Sequence, residues 1–194
     1  MEAAGLAGAG LAGDVRGECG RRAAVGDVTV LVNNAGSNTR ADLLAGDLDD
    51  IRLEMDTHYY GTLAAVRGFA PRIAASGGGA ILNILSVLSW FSVPDAGAYC
   101  AAKSAAWSLT NALRLQLADQ NIRVAGLHVG YMDTDMTRGI DQPKSHPADI
   151  ARIAADGIAS GAYEIVADDI SRQVQAGLAA GVPALYPQLA GTSH

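Results

Sequence analysis

Four short apolar runs punctuate the chain, and the stretches between them carry apolar residues at helical spacing. Val28-Thr29-Val30-Leu31-Val32 is a β-branched run ended by Asn33-Asn34-Ala35-Gly36. A second run occupies 80–85 and ends at Ser86, a third occupies 122–129, and a short fourth occupies 163–166. Apolar runs of this length, bounded by turn residues, read as buried strands of a parallel sheet. Residues 43–72 are helical in pattern, with Asp47 or Asp49 as N-cap and Pro71 as a late stop. Residues 98–119 read as a long amphipathic helix with a Leu109, Leu113, Leu117 stripe, closed by Asn121. Pro147 suits a first helical position, with Ser145 or His146 as cap, and that helix runs to about residue 160. A weaker helix is expected over 171–179.

Strands that alternate with helices imply an α/β fold: a Rossmann-like three-layer arrangement with a parallel sheet between helices. No repeat or linker divides the chain. The expectation is a single domain over 1–194, with a degraded or disordered N-terminal part at 1–26, a core at 27–180 and a tail at 181–194.

Composition narrows the field. Apolar residues make up 49% of the 194 and charged residues 18%, which suits a packed domain. A net charge of −6 offers no basic footprint for nucleic acid or anionic lipid. No stretch is long and apolar enough for a membrane span, and the opening segment does not read as a signal peptide, so a cytoplasmic protein is expected. Cys19 and Cys100 have no disulfide or zinc spacing and read as two reduced thiols. No histidine has metal-ligand spacing. Gly8, Gly10 and Gly13 spell G-x-G-x-x-G, but the preceding strand and following helix that such a fingerprint needs are missing, so the glycines read as a frayed terminus.

The chemistry concentrates elsewhere. Tyr99 and Lys103 stand four apart at the start of the long helix and share one face. An ammonium beside a phenol favours phenolate, so Lys103 is expected to lower the Tyr99 pKa and make it a general acid or base. Ser86 ends a strand at the carboxyl edge of the sheet, where ligands of open α/β sheets bind. Its hydroxyl could hold a substrate oxygen as charge develops there. The chain has only two lysines, Lys103 and Lys144, which makes the Tyr99–Lys103 coincidence less easily dismissed as a surface pair.

These motifs together resemble the short-chain dehydrogenase/reductase family. Asn33-Asn34-Ala35-Gly36 after an apolar strand, Asn83-Ile84-Leu85-Ser86, Tyr99-x-x-x-Lys103 and Gly130-Tyr131-Met132-Asp133-Thr134-Asp135-Met136 follow its order and spacing from about residue 27 to 166. The resemblance implies reversible hydride transfer between NAD or NADP and a small-molecule alcohol/carbonyl pair. Ser86 would polarise the substrate, Tyr99 would pass the proton, and Lys103 would tune Tyr99 and bind the nicotinamide ribose. Asn34, Ala35 and Gly36 would line the adenosine side, and Met132 and Thr134 would approach the carboxamide. A homodimer or homotetramer is also implied, because the long helix pairs with its mate in the family.

Three departures stand out. The family's opening strand, T-G-x-x-x-G-x-G turn and following βαβ unit have no counterpart at the usual distance from Asn33, so the phosphate anchor looks absent and the sheet edge uncovered. Asp14-Val15 is only a weak match to the family's adenine-contacting pair. His58 stands where the family has Asn in V-N-x-x-G; it could relay protons, since imidazole both donates and accepts, or simply fill the position. Val129 replaces a proline before Gly130, which is expected to loosen the turn carrying Met132 and Thr134. His128 reads as a strand residue, and Tyr59, Tyr60, Trp90, Phe91 and Trp107 as packing or pocket lining. Two functions remain in view: a Ser-Tyr-Lys oxidoreductase, or an impaired family remnant with a structural or interaction role. In either case an exposed sheet edge could be completed by another chain.

Overall fold

The computed structural model describes residues 27–189, so the N-terminal glycine pattern, Asp14-Val15 and Cys19 lie outside it. Four strands form one parallel sheet in the order β1 (Val30–Asn33), β2 (Gly79–Ile84), β3 (Ile122–His128), β4 (Glu164–Val166). The register sets Asn33 beside Asn83 and Gly126 beside Glu164. All four expected strands are present, with ends moved by one or two residues, as fraying permits.

The central strands β2 and β3 bury both faces, and alternate residues feed two cores. Ile81, Ile122 and Val124 pack under α2 (Gly61–Ala75) and α3 (Gly97–Leu117), through Val66, Ala70, Ile73, Leu109, Leu113 and Leu117. Leu82, Ala125, Leu127 and Ile165 face the other way, onto Ile150 and Ala154 of α4 (Pro147–Ser160). The leucine stripe of α3 is therefore core, as its spacing predicts. A buried polar ladder ties the layers. Asn33 Nδ2 donates to Asn83 Oδ1 at 2.7 Å, and Asn83 Nδ2 donates to Thr110 Oγ1 at 2.8 Å. Thr110 Oγ1 in turn donates to Ala106 O in α3.

The caps follow the expected chemistry. Asp47 accepts from Asp49 N at the start of α1 (Leu48–Met55), and His146 accepts from Ala148 N ahead of Pro147. Asn121 takes the left-handed conformation at φ 57° that ends the long helical stretch, and its amide reaches Gly77 O at 2.8 Å. The last regular elements are α5 (Asp169–Gly177), capped by Asp168, and α6 (Val182–Leu185).

Three expectations are corrected. Residues 43–72 do not form one helix. Residues 43–46 turn, α1 begins at Leu48, and Asp56–Tyr60 is a π-helical turn joining α1 to α2. Nor does Pro71 stop the helix, which runs on to Ala75. The proline lies on the exposed side of the helix, where losing one main-chain hydrogen bond costs least. The turn after β3 is also better fastened than the loss of proline at Val129 suggests. Gly130 N donates to Asp168 Oδ2 at 2.6 Å, and the Tyr131–Asp133 stretch bridges Ser145 through two main-chain hydrogen bonds. A carboxylate and a β-bridge replace the rigidity of the missing ring.

Candidate active site

The carboxyl ends of β1, β2 and β3 deliver the candidate residues to one edge of the sheet. Ser86 leaves β2 in extended conformation and caps the short 3₁₀ turn Val87–Ser89. Its Oγ accepts from Leu88 N at 3.1 Å and its own N–H donates to Ser89 Oγ, so the hydroxyl sits in a defined place. Tyr99 enters from the first turn of α3. The Ser86 hydroxyl lies close enough to the phenol to influence its ionisation, which brings together two residues thirteen positions apart. Lys103, one helical turn on, is buried; its Nζ donates to Ile84 O at 2.9 Å and lies 5.6 Å from the centre of the Tyr99 ring.

The electrostatics differ from the expectation. Tyr99 is not lowered by Lys103 but pushed up to about 12. Burial is the largest cause, because a phenolate there would lose its hydration; the nearby Ser86 hydroxyl opposes this, and the negative charge of Glu54 adds to it. Lys103 is drawn down to about 8, again by burial, with Glu54 acting in the opposite sense. In this state the tyrosine is a phenol holding its proton.

Glu54 is the residue that sequence reasoning missed. It lies in α1, fully buried, and receives the Thr39 N–H and the Ser37 hydroxyl, the latter at 3.1 Å. His58 Nε2, one helical turn along, is 3.4 Å from Oε2, the oxygen that accepts from Ser37. Burial would raise the Glu54 carboxyl, but His58 and Thr39 together hold it below its ordinary value. The available signal was a glutamate at i−4 from His58 on what looks like an amphipathic helix, a pair that is usually solvent-facing.

His58 is buried against Tyr99, edge to face with ring centres 5.1 Å apart. Its Nε2 stands 2.8 Å from Ser37 O rather than pointing at Tyr99 or Lys103. The imidazole thus braces the segment after β1 and the wall of the tyrosine. Asn34, Ala35 and Gly36 are exposed just past that strand. A Cβ on Gly36 would come within 3.3 Å of His58 Cε1, so glycine keeps the strip close to the imidazole. Met132 is half-buried and Thr134 exposed, on the segment that follows Gly130. The structure therefore gathers Ser86, Tyr99, Lys103 and His58 at one place and sets Asn34–Gly36 against it through His58. A separate shallow hollow of about 340 Å³ is lined by Asp133, Ile140, Asp141, Gln142, Lys144 and His146, and includes none of the Ser86, Tyr99 and Lys103 group. No described helix is long and apolar enough to cross a membrane, and no metal-holding cluster of His, Cys, Asp and Glu occurs among the described residues.

Comparison with known proteins agrees with this geometry. Residues 20–145 match the family model described as short chain dehydrogenase. A dehydrogenase/reductase SDR family protein 7-like from Anopheles gambiae is 35% identical over 113 residues, covering 58% of this chain and 35% of that protein. Trans-4-hydroxycyclohexanecarboxylate dehydrogenase of Sinomonas cyclohexanicum is 35% identical over 115 residues, covering 59% of this chain and 44% of its own length. The chain thus spans less than half the length of these two relatives. A short chain dehydrogenase from Burkholderia cenocepacia, solved in complex with NADP, superposes with a TM-score of 0.74 at 35% identity, over 84% of this chain and 69% of that one. With the motifs in order on one sheet edge and the family model matching more than half its length, this chain belongs to the short chain dehydrogenase family.

Proposed function

We propose that the protein is an NAD(P)-dependent oxidoreductase that interconverts a small-molecule alcohol and its carbonyl. The convergence of the Ser86 hydroxyl and the Tyr99 phenol at the carboxyl edge of the sheet carries this reading, because a single substrate oxygen could meet both. Family membership and the NADP complex of the Burkholderia relative support it.

The residues present suit such a cofactor, with Asn34, Ala35 and Gly36 toward its adenosine side and Met132 and Thr134 toward its carboxamide. The exposed strip Asn34–Gly36 approaches both His58, which packs on Tyr99, and Met136 on the segment that also carries Met132 and Thr134. We assign Asn34, Ala35, Gly36, Met132 and Thr134 to cofactor contact, together with Tyr99 and Lys103. The cofactor supplies or accepts the hydride. The protein's part is the oxygen. Ser86 donates to the carbonyl oxygen as negative charge grows on it, which is where a preorganised donor lowers a barrier. Tyr99, a phenol in the resting state, gives its proton to that oxygen; in the reverse direction it takes one from the alcohol. Lys103, fixed on Ile84 O, stands one turn away to stabilise the phenolate left behind. His58 keeps the Tyr99 ring and the strip after β1 in register. A relay of protons through its imidazole would require Nε2 to leave Ser37 O, so we assign His58 a positioning role.

Fluorescence titration with NADH and NADPH tests the cofactor assignment. Saturable binding is the expected result; a flat titration to millimolar cofactor contradicts it and favours a structural or interaction role for the chain. The exposed Leu115 on α3, 83% accessible, suits pairing of this helix with a second copy, and we propose a homodimer or homotetramer on that basis.

A further inference from the structure

A second buried charge cluster lies behind Ser86, and the mechanism does not use it. His128, the last residue of β3, is completely buried. Its ring stacks on Trp90 with centres 3.7 Å apart and planes 14° apart, and meets Trp107 edge-on. Nδ1 stands 3.2 Å from Ser86 O. Nε2 stands 2.8 Å from Glu164 Oε2 on the neighbouring strand. Glu164 is itself held: Arg114 Nη1 is 2.9 Å from Oε1, and Trp107 Nε1 donates to the same oxygen at 3.4 Å. Arg114 is anchored in turn on Val124 O, Asn111 Oδ1 and Tyr163 O. Gly126 lies beside the arrangement, where a Cβ would clash with Leu85 Cδ1 at 2.8 Å while meeting Arg114 and Glu164 at contact distance.

Both neighbours of the imidazole are acceptors. A main-chain carbonyl and a carboxylate have no proton to offer, so a neutral ring would turn one bare nitrogen toward a bare oxygen. We propose that His128 is held as an imidazolium between Glu164 and the Ser86 carbonyl, and that it is a positioning residue for the Ser86 hydroxyl. The inference rests on the hydride-transfer reading for its catalytic consequence, but not for the protonation it assigns. Glu164 agrees: burial would raise its carboxyl, yet the adjacent His128 and Arg114 hold it below its ordinary value. The physical consequence is a grip on Ser86 from behind. Its N–H is taken by Ser89 Oγ and its carbonyl by the His128 Nδ1–H, so the hydroxyl has little room to drift from Tyr99. A catalytic group displaced by about 1 Å can lose about a hundredfold in rate.

Long-range ¹H–¹⁵N spectra of histidine-labelled protein read the protonation directly, with His128→Phe identifying the signal. Two protonated nitrogens are expected, and their conversion to a neutral pattern in Glu164→Gln. A neutral single-tautomer signal in the unmodified protein overturns the assignment. Turnover reads the positioning. His128→Phe preserves an aromatic ring over Trp90 and is expected to lower kcat about a hundredfold, with KM and cofactor Kd changed by less than about twofold. Glu164→Gln, which keeps the volume and removes the charge, is expected to lose kcat in the same selective way, and it serves where His128→Phe does not fold. Unchanged kcat in Glu164→Gln overturns the positioning role. A wild type that binds cofactor but turns over no alcohol or ketone counts against the proposed function instead, and the spectra then decide the His128 assignment alone.

Discussion

Lys103 is the most consequential single residue for stability as well as chemistry. A buried amine drawn down to about 8 from its ordinary 10.5 means that the folded chain releases this proton while the unfolded chain still holds it. Between those pH values the unfolded state binds more protons, so stability rises with pH, by about 3 kcal/mol in full. Tyr99 acts later and in the opposite sense. With its pKa raised to about 12, the folded state keeps a proton that the unfolded state loses above 10, so stability falls from there upward. Urea denaturation at pH 7 and pH 9.5 checks this: the wild type is expected to gain stability over that interval relative to Lys103→Met, which has no proton to release. Equal pH dependence in the two proteins would refute it. The Ser86, Tyr99 and Lys103 trio was legible in the sequence because its members mark the end of an apolar strand and one face of a helix. The direction of the Tyr99 shift was not, because spacing reports which groups are near but not how much water they lose.

The π-helical turn Asp56–Tyr60 shows where pattern reading stops. The apolar and polar residues of 43–72 suit a helix, and nothing in Thr57-His58-Tyr59-Tyr60 breaks one. A π turn adds a residue without a punctuating Gly or Pro, and it is stabilised by tertiary contacts that a local pattern does not contain. Here those contacts are visible: Glu54 and His58 face Ser37 and Thr39 across the site. Glu54→Gln keeps the size and one acceptor but discards the charge, and is expected to weaken the loop after β1. Hydrogen exchange at Thr39 N–H reads this as faster exchange than in the wild type. The strand–helix ladder gives a complementary case. Asn83→Ala would strand the Asn33 amide and leave Thr110 without its donor, at a cost of about 1–3 kcal/mol measured by urea denaturation. The strands themselves were easy to foresee, since runs such as 80–85 are apolar on both faces. Asn83 within that run gave no hint of its partners, which lie 50 and 27 positions away.

The molecule as a whole is a sheet whose loops at one edge converge. Sequential strand order with helical crossovers places the ends of β1, β2 and β3 together, so Gly36 and Met136 come within contact reach although a hundred positions separate them. The order of motifs therefore announced both the fold and the location of the site. What order could not announce is the Arg114–Glu164–His128 cluster, which depends on the β3–β4 register and on the lateral packing of α3. β1 is the outer strand of the described sheet, and Val32 on it is 51% exposed. Together with Leu115, such apolar surface is expected to be covered by association. Light scattering after size-exclusion chromatography should give a mass of two or four chains at micromolar concentration; a monomer would remove the oligomer from the account.

The decisive measurement compares oxidation of NADH or NADPH in the presence of a panel of small ketones for the wild type and Tyr99→Phe, each at saturating cofactor. The account expects turnover by the wild type and a loss of at least about a hundredfold in the variant, since general acid catalysis is typically worth that much or more, while the cofactor titration stays unchanged. A Tyr99→Phe protein that binds cofactor normally and turns over at the wild-type rate would contradict it.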